Sequence, residues 1–526
     1  MAGRAQPVNF TTLAGLVAAA LIVALTVGTV ATVALRAEYS ARLNPADWAA
    51  IRFTVRQALV SAMFSVLFAI PVARALARRQ FWGRSMMITL LGAPFILPVI
   101  VAIFGLLAVF GRTGLFSQIL ASFGVGPLNI YGFQGIVLAH VFFNLPLATR
   151  LILRGWQTIP AEHFRLAAQL SLESNHVFRH LERPMLRGTL PGAFAVIFLL
   201  SAASFAVALA LGGGPKATTV ELAIYQAFRF DFDLGKAAFL ALVQLALSAT
   251  AALVAWKFTA RRAFDAGFGR RIRRWDGLNA VSIAQDIAVL SCAALFLFLP
   301  LSMVVLRGVA HLNEIPAPVF PAIVRSLIVA VVSAGLAVFL ALILARAALD
   351  FRKNGKSFAG WIESVGFLTL ATSPMVIGAG LFILLFRFFS PSSMALPVTI
   401  TVNAALSLPF ALYSILPALR DAEAHYGRLA DSLGMRGVTR FRLAIWPRIR
   451  PSVGFAAGLS AALSMGDLGV IALFADADNA TLPLVMYRLM AGYQMDAASA
   501  VALLLLALSL ALFWLFDRGG RLNAAT

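Results

Sequence analysis

Asp467 lies between Gly466 and Gly469 in a run of small and aliphatic residues, and it is the sharpest chemical feature of this chain. A carboxylate inside an apolar span is expensive and usually faces a cavity or a partner. Facing a pathway, it would lower the barrier for a cation. The competing reading is a helix break at the two glycines, with the carboxylate bonded to backbone or to an arginine. Ser201, Ser204 and Ser464 are further candidates for a polar pathway, although small hydroxyl residues also serve ordinary helix–helix packing.

The remaining chemistry-bearing residues do not form a catalytic set. Gly355-Lys356-Ser357 resembles the end of a phosphate loop, but Asp350 stands where the first glycine is required. The six histidines (His140, His163, His176, His180, His311 and His425) show no metal-ligand pairing with carboxylates on the expected helix faces. Cys292, the single cysteine, lies in an apolar stretch and is read as packing. No catalytic, cofactor or metal site is therefore expected. Two further segments, from Gly212 to Lys236 and from Ala475 to Asp496, combine Glu221, Asp231, Asp233, Asp476, Asp478 and Asp496 with Tyr225, Phe228, Tyr487 and Tyr493. They read either as a rim that meets a binding protein or gates a pathway, or as ordinary interfacial loops with an aromatic belt.

A repeat organises these residues. Arg165-Leu166-Ala167, with Ser171 and Pro184 beyond it, recurs as Arg428-Leu429-Ala430, with Gly434 and Pro447, at a constant offset of 263 in a chain of 526 residues. Leu145-Pro146 and Leu408-Pro409 keep the same offset. That register points to two copies of one unit. In the first copy Pro160 can open a helix and Glu162 suits its positive end. Ser171 and Gly434 fall where the chain must turn; glycine tolerates a left-handed conformation there and serine does so less well. A second short helix then leads to each proline. Two such basic insertions make a paired docking surface, and the competing reading is a pair of solvated basic helices that orient the protein and bind lipid phosphate.

The elements that carry them are apolar. The chain is 61% hydrophobic and 12% charged, and its mean hydropathy of +0.88 exceeds what a soluble core needs. Near-spanning windows fall at 13–35, 54–77, 86–110, 132–153, 190–211 and 237–257, then at 282–306, 322–346, 361–386, 394–417, 452–474 and 497–516. The expected fold is thus an all-α membrane protein of about twelve transmembrane helices, in two parallel six-helix repeats. Residues 1–258 form the first repeat, with its loop at about 157–188. A basic linker spans 259–280, and residues 281–526 form the second repeat, with its loop at about 420–451. With the N-terminus inside, the connections on that side hold most of the 43 Lys and Arg, so both termini and both loops are expected in the cytoplasm. The net charge of +21 is spent on this orientation. Arg261-Arg262 and Arg270-Arg271-Ile272-Arg273-Arg274 lie beside spans with little aromatic interleaving, which argues against nucleic acid. An uncleaved first span is expected, since the run from Leu13 to Leu35 exceeds a signal-peptide core.

Leu-Ala-x-x-Leu-Gly, followed thirteen residues after the glycine by a proline in a basic setting, resembles the degenerate EAA loop of ABC importer permeases. Two loops in one chain resemble the fused permeases of that family, and the likeness is closest to those for thiamine. Leu138-Ala-His-Val-Phe-Phe-Asn-Leu-Pro146, the triple-glycine segment 212–226 and Ser464-Met-Gly-Asp-Leu-Gly-Val470 carry it over nearly the whole length. The resemblance implies a type I ABC importer permease in a bacterial inner membrane. Its partners would be a cytoplasmic ATPase dimer that hydrolyses ATP, a periplasmic substrate-binding protein, membrane lipid and a thiamine-like substrate. The loops would be coupling helices, and the chain itself would bind no cofactor. Ferric iron, aminoethylphosphonate and polyamine stay open as cargo. An ion-coupled secondary transporter would explain the duplication but not the paired basic insertions. A membrane-bound enzyme would need a clustered catalytic set. The chain departs from the family pattern where Arg165 and Arg428 replace the acidic residue, and where Ser171 replaces the glycine, so the two loops are not expected to be equivalent.

Overall fold

The structure, a computed structural model, describes residues 10–37, 43–92, 96–258, 274–353 and 358–521. Residues 261–262 and 270–273 of the basic linker, and Gly355-Lys356-Ser357, lie outside the described residues. Everything regular in the described residues is helical.

The first half opens with α1 (Phe10–Arg36), α2 (Pro45–Arg78), α3 (Arg84–Leu90), α4 (Val99–Phe110), α5 (Leu115–Ser122) and α6 (Phe133–Gln157). Its basic insertion holds α7 (Ala161–Gln169) and α8 (Ser174–Val177), and α9 (Arg183–Ala202), α10 (Phe205–Leu211), α11 (Val220–Arg229) and α12 (Leu234–Phe258) follow. The second half contains α13 (Ala280–Ala310), α14 (Val319–Lys353), α15 (Phe358–Phe367), α16 (Pro374–Leu385) and α17 (Pro391–Ser432). It ends with α18 (Gly437–Arg440), α19 (Trp446–Met465), α20 (Gly469–Phe474), α21 (Leu482–Ala491) and α22 (Met495–Arg521).

Eleven helical stretches among the described residues are long and apolar enough to cross a membrane, one fewer than the twelve spans expected. The missing one is window 361–386. There α15 stops at Phe367, a 3₁₀ turn covers Leu368–Ala371, and α16 restarts at Pro374 with only 12 residues. Proline supplies no N–H and keeps the residue before it out of the helical region, so Ser373-Pro374 ends one helix and begins another. Ser373 caps the new start, its Oγ accepting from Val376 N at 3.2 Å. The windows at 190–211 and 452–474 are interrupted as well, after Ala202 and Met465.

Close packing ties the halves through small residues, as membrane helices require. A Cβ on Gly15 of α1 would lie 2.1 Å from Ala347 Cβ of α14, and one on Gly380 of α16 would meet Thr29 of α1 at 2.6 Å. A Cβ on Gly105 of α4 would lie 2.6 Å from the Pro300 carbonyl oxygen of α13. The opening helix of each half therefore packs into the opposite half.

Candidate functional site

The two basic insertions fold by the same local rules. Arg165, Leu166 and Ala167 lie on α7; Arg428, Leu429 and Ala430 lie in the last turns of α17. Ala167 and Ala430 are buried against the bundle. The neighbouring leucines face outward: Leu166 and Leu170 are 53% and 61% exposed, and Leu429 and Leu433 are 55% and 61% exposed. Each loop thus presents an i, i+4 apolar pair to solvent, flanked by an exposed arginine, a surface suited to an apolar recess on another protein. Both helices end in a left-handed residue, Ser171 at φ 50° and Gly434 at φ 66°. Beyond it, Leu172 N donates to Ala167 O and Met435 N donates to Ala430 O, each at 2.9 Å. This is the six-residue closure of a Schellman motif. A π turn then follows in each copy, Phe178–Glu182 and Phe441–Ile445. Pro184 and Pro447 sit just inside the first turns of α9 and α19 rather than between elements, where a missing N–H is harmless.

The loops differ in how they are held. Pro160 precedes α7 as its cap, so α7 is a separate helix, whereas α17 runs unbroken for 42 residues into the second loop. In the first loop Glu182 is fully buried and takes Arg74 at 2.8 Å and Arg274 at 2.7 Å. Trp156 Nε1 also donates to it at 3.3 Å. Arg274 pairs in turn with Asp276 at 2.6 Å and lies 4.5 Å over the Phe164 ring of α7. Asp276 also receives Arg78 at 2.9 Å. The linker's last residues are thereby bolted to the first loop. Burial opposes the Asp276 charge, but hydrogen bonding and attraction from Arg274, with Arg78, hold its pKa below the usual carboxylate range. In the second loop the corresponding work falls to Glu423 and Asp431, which take Arg440 at 2.6 and 2.5 Å. These carboxylates are hard to see in the sequence because their partners lie up to about two hundred residues away.

The candidate pathway residues gather at the interruptions of the two split spans. Ser201 and Ser464 occupy matching places and are buried. Asn144 Nδ2 donates to Ser201 Oγ at 3.1 Å, and Asn403 Nδ2 donates to Ser464 Oγ at 3.0 Å. Ser204 precedes α10 and is half-buried, without a capping bond. Asp467 stands between α19 and α20. Its Oδ1 accepts from Gly469 N at 3.1 Å, while its inaccessible Oδ2 takes no hydrogen bond. The helix break and the backbone bond of one reading of Asp467 are thus present. The place where α19 stops also touches the other half, since a Cβ on Gly466 would lie 2.8 Å from Pro98 Cα.

At the end of the bundle away from the loops, α11 and α21 are set alike. Val220 N donates to Thr54 Oγ at 2.9 Å, and Leu482 N donates to Ser326 Oγ at 2.8 Å. An aromatic cluster crosses between the halves there: Phe382 of α16 contacts Phe228 of α11 and Phe474 of α20, each with ring centroids 5.3 Å apart. Phe205 and Tyr225 extend it at 5.3 Å.

Three expectations are corrected. Glu221 belongs to no exposed rim; it is fully buried under α11. His311 does meet carboxylates, with Glu314 and Asp496 offering ligand atoms within 4.8 Å of one another. Asp496 is far away in sequence, which hid the pairing. Its Oδ1 lies 3.4 Å from His311 Nε2. Cys292 is exposed on α13, beside an apolar groove lined by Phe64 and Val137, rather than packed inside.

Comparison with characterised proteins covers nearly the whole chain. It is 40% identical over 518 residues to the thiamine transport system permease protein ThiP of Brucella abortus (strain 2308), spanning 96% of this chain and 94% of that protein. The protein of the same name from Escherichia coli (strain K12) is 39% identical over 480 residues, 90% and 89% of the two chains. That from Haemophilus influenzae is 35% identical over 468 residues, 87% and 86% of the two. No family model matches the chain.

Proposed function

Because the chain belongs to the ThiP family of transport-system permeases, we propose that it carries thiamine, or its phosphates, across a bacterial inner membrane as the spanning subunit of an ATP-driven importer. The observation that carries the mechanism is the pair of loops with matched, outward-facing leucines at one end of the bundle. The basic connections support a cytoplasmic place for that end and for both termini. A cytoplasmic ATPase dimer there receives Leu166 and Leu170 on one subunit and Leu429 and Leu433 on the other. The chain binds no nucleotide; ATP closes the partner dimer and draws the loops together.

Each loop leads straight into a split span, through the π turn into α9 or α19. Loop motion therefore reaches Ser201, Ser204, Ser464 and Asp467 without an intervening flexible segment. At the opposite end a loaded periplasmic binding protein delivers cargo above the Phe228–Phe382–Phe474 cluster. Thiamine carries a permanent thiazolium charge, and Asp467 offers it a carboxylate oxygen at the break between α19 and α20.

The test is uptake of labelled thiamine by cells deleted for this gene, complemented by wild type or by a double Leu166→Asp, Leu429→Asp variant. Restoration by wild type alone, with the variant made and inserted, is expected. Equal uptake in deleted and wild-type-complemented cells, with no second thiamine transporter present, would remove thiamine as the cargo. Full uptake by the double variant would remove the coupling role of the loops.

A further inference from the structure

The end of α9 is surrounded by buried hydrogen-bond acceptors that outnumber the donors beside them. Gln57 of α2 donates its Nε2 to Ser201 O at 2.9 Å, and Gln244 of α12 donates its Nε2 to the next carbonyl, Ala202 O, at 3.2 Å. Those bonds orient both amides, leaving Gln57 Oε1 and Gln244 Oε1 as acceptors; both are buried and unpartnered. Glu221 is fully buried too, and the Ser373 hydroxyl and the Gln244 amide are the polar side chains that reach its carboxyl group. Four buried acceptor oxygens share few donors, the Ser373 hydroxyl and the second amide hydrogens of the two glutamines, and form a lopsided set. Acceptors left without donors inside a protein are costly, and a carboxylate most of all, so such a set fits a ligand that brings donors and positive charge.

Its position fits cargo rather than scaffolding. Glu221 belongs to the first half and Ser373 caps α16 of the second, so the carboxylate lies on the seam between halves. One face of α11 places Glu221 below Phe228, and Phe228 meets Phe382 of α16. Parting α11 from α16 would open the aromatic contact and uncover the carboxylate in one movement. The second half does not repeat the arrangement. Val329 stands three residues after Ser326 as Gln57 stands three after Thr54, and Pro483 follows Leu482 as Glu221 follows Val220. One polar wall facing one apolar wall suits a small ligand with a charged, donor-bearing face.

We propose that Glu221, with Gln57 and Gln244, forms a further cation-recognition site of the translocation pathway besides Asp467, masked here and exposed when α11 and α16 separate. The proposal rests on the thiamine reading above and adds a second place, in the first half, where the cation is met. The ligand class is a small organic cation with an amino donor, such as the thiazolium and aminopyrimidine of thiamine.

Proteoliposomes holding the complete complex, loaded binding protein outside and ATP inside, test it by reading thiamine uptake and ATP hydrolysis together, per assembled complex. Glu221→Gln keeps shape and removes charge. Uptake per ATP is expected to fall about tenfold or more, the scale of one lost hydrogen bond to a charged group, while hydrolysis still responds to the loaded binding protein. Glu221→Asp is expected to restore most of the uptake. Wild-type uptake by Glu221→Gln would overturn the site. So would parallel loss of uptake and of the hydrolysis response in both variants, because that marks a structural role. Vesicles of wild type that hydrolyse ATP in response to the binding protein but admit no thiamine would overturn the transport reading itself, and this site with it.

Discussion

Ser171 holds a backbone conformation, φ 50°, that its counterpart Gly434 adopts at φ 66° without steric penalty. A side chain in the left-handed region costs about 1–2 kcal/mol, and a β-branched one more. The hydrogen bonds from Ser171 N to Ala168 O and from Leu172 N to Ala167 O hold the turn despite that. Ser171→Val is therefore expected to loosen the end of α7, lowering hydrogen-exchange protection of Leu170 to Leu172 by about tenfold, whereas Ser171→Gly leaves it equal or higher. Equal protection in all three proteins would show that the turn is held from elsewhere. This position was legible in the sequence because a helix end is a local event, decided within some six residues. Glu221 was not. Its segment reads as a polar loop at an interface, and only the packing of α16 across it makes it an interior group.

The same division between local and distant causes governs the elements. Apolar windows located the long helices well, because length and hydropathy belong to single segments. Interruptions were weaker in the sequence: Pro374 marks one, but Ala203-Ser204 carries neither proline nor glycine and still breaks the span. There the released carbonyls find Gln57 and Gln244, residues of other helices, which is a tertiary cause that no window contains. Packing between elements adds a second test. A Cβ on Gly105 meets backbone at Pro300, which cannot swing aside, while one on Gly335 meets nothing within 4 Å. Gly105→Ala should force α4 from α13 at about 1–3 kcal/mol and lower the melting temperature in detergent. Gly335→Ala should leave it unchanged or slightly raised. Matching melting curves for the two variants would mean that α4 and α13 do not pack this closely.

At the scale of the whole molecule, the described end of the linker is attached to the first half. Arg274 and Asp276 attach it to Glu182 of the first loop and to Arg78 of α2, and Arg79 pairs with Asp286 of α13 at 2.6 Å. The second loop is steadied instead by the unbroken length of α17 and by Arg440. One loop is thus held from the linker and the other from its own span, a division that follows from a chain whose halves are joined once. Removing one member of a buried charge network strands the others, so Asp276→Asn should cost about 3 kcal/mol of stability at neutral pH. The pH dependence has a definite sign. The folded pKa of Asp276 lies below its unfolded value of about 3.9, so its contribution is present above that pH and lost as pH falls through the folded pKa. Between pH 8 and 5 the melting temperatures of wild type and Asp276→Asn should stay a constant distance apart, then converge below about pH 4 as the wild-type carboxylate takes up its proton. A gap that persists into that acid range would show that the network does not depend on the Asp276 charge. In that case the linker would be held by the Arg274–Glu182 pair, the packing of Arg274 on Phe164 and the bond from Arg79 to the Gly277 carbonyl.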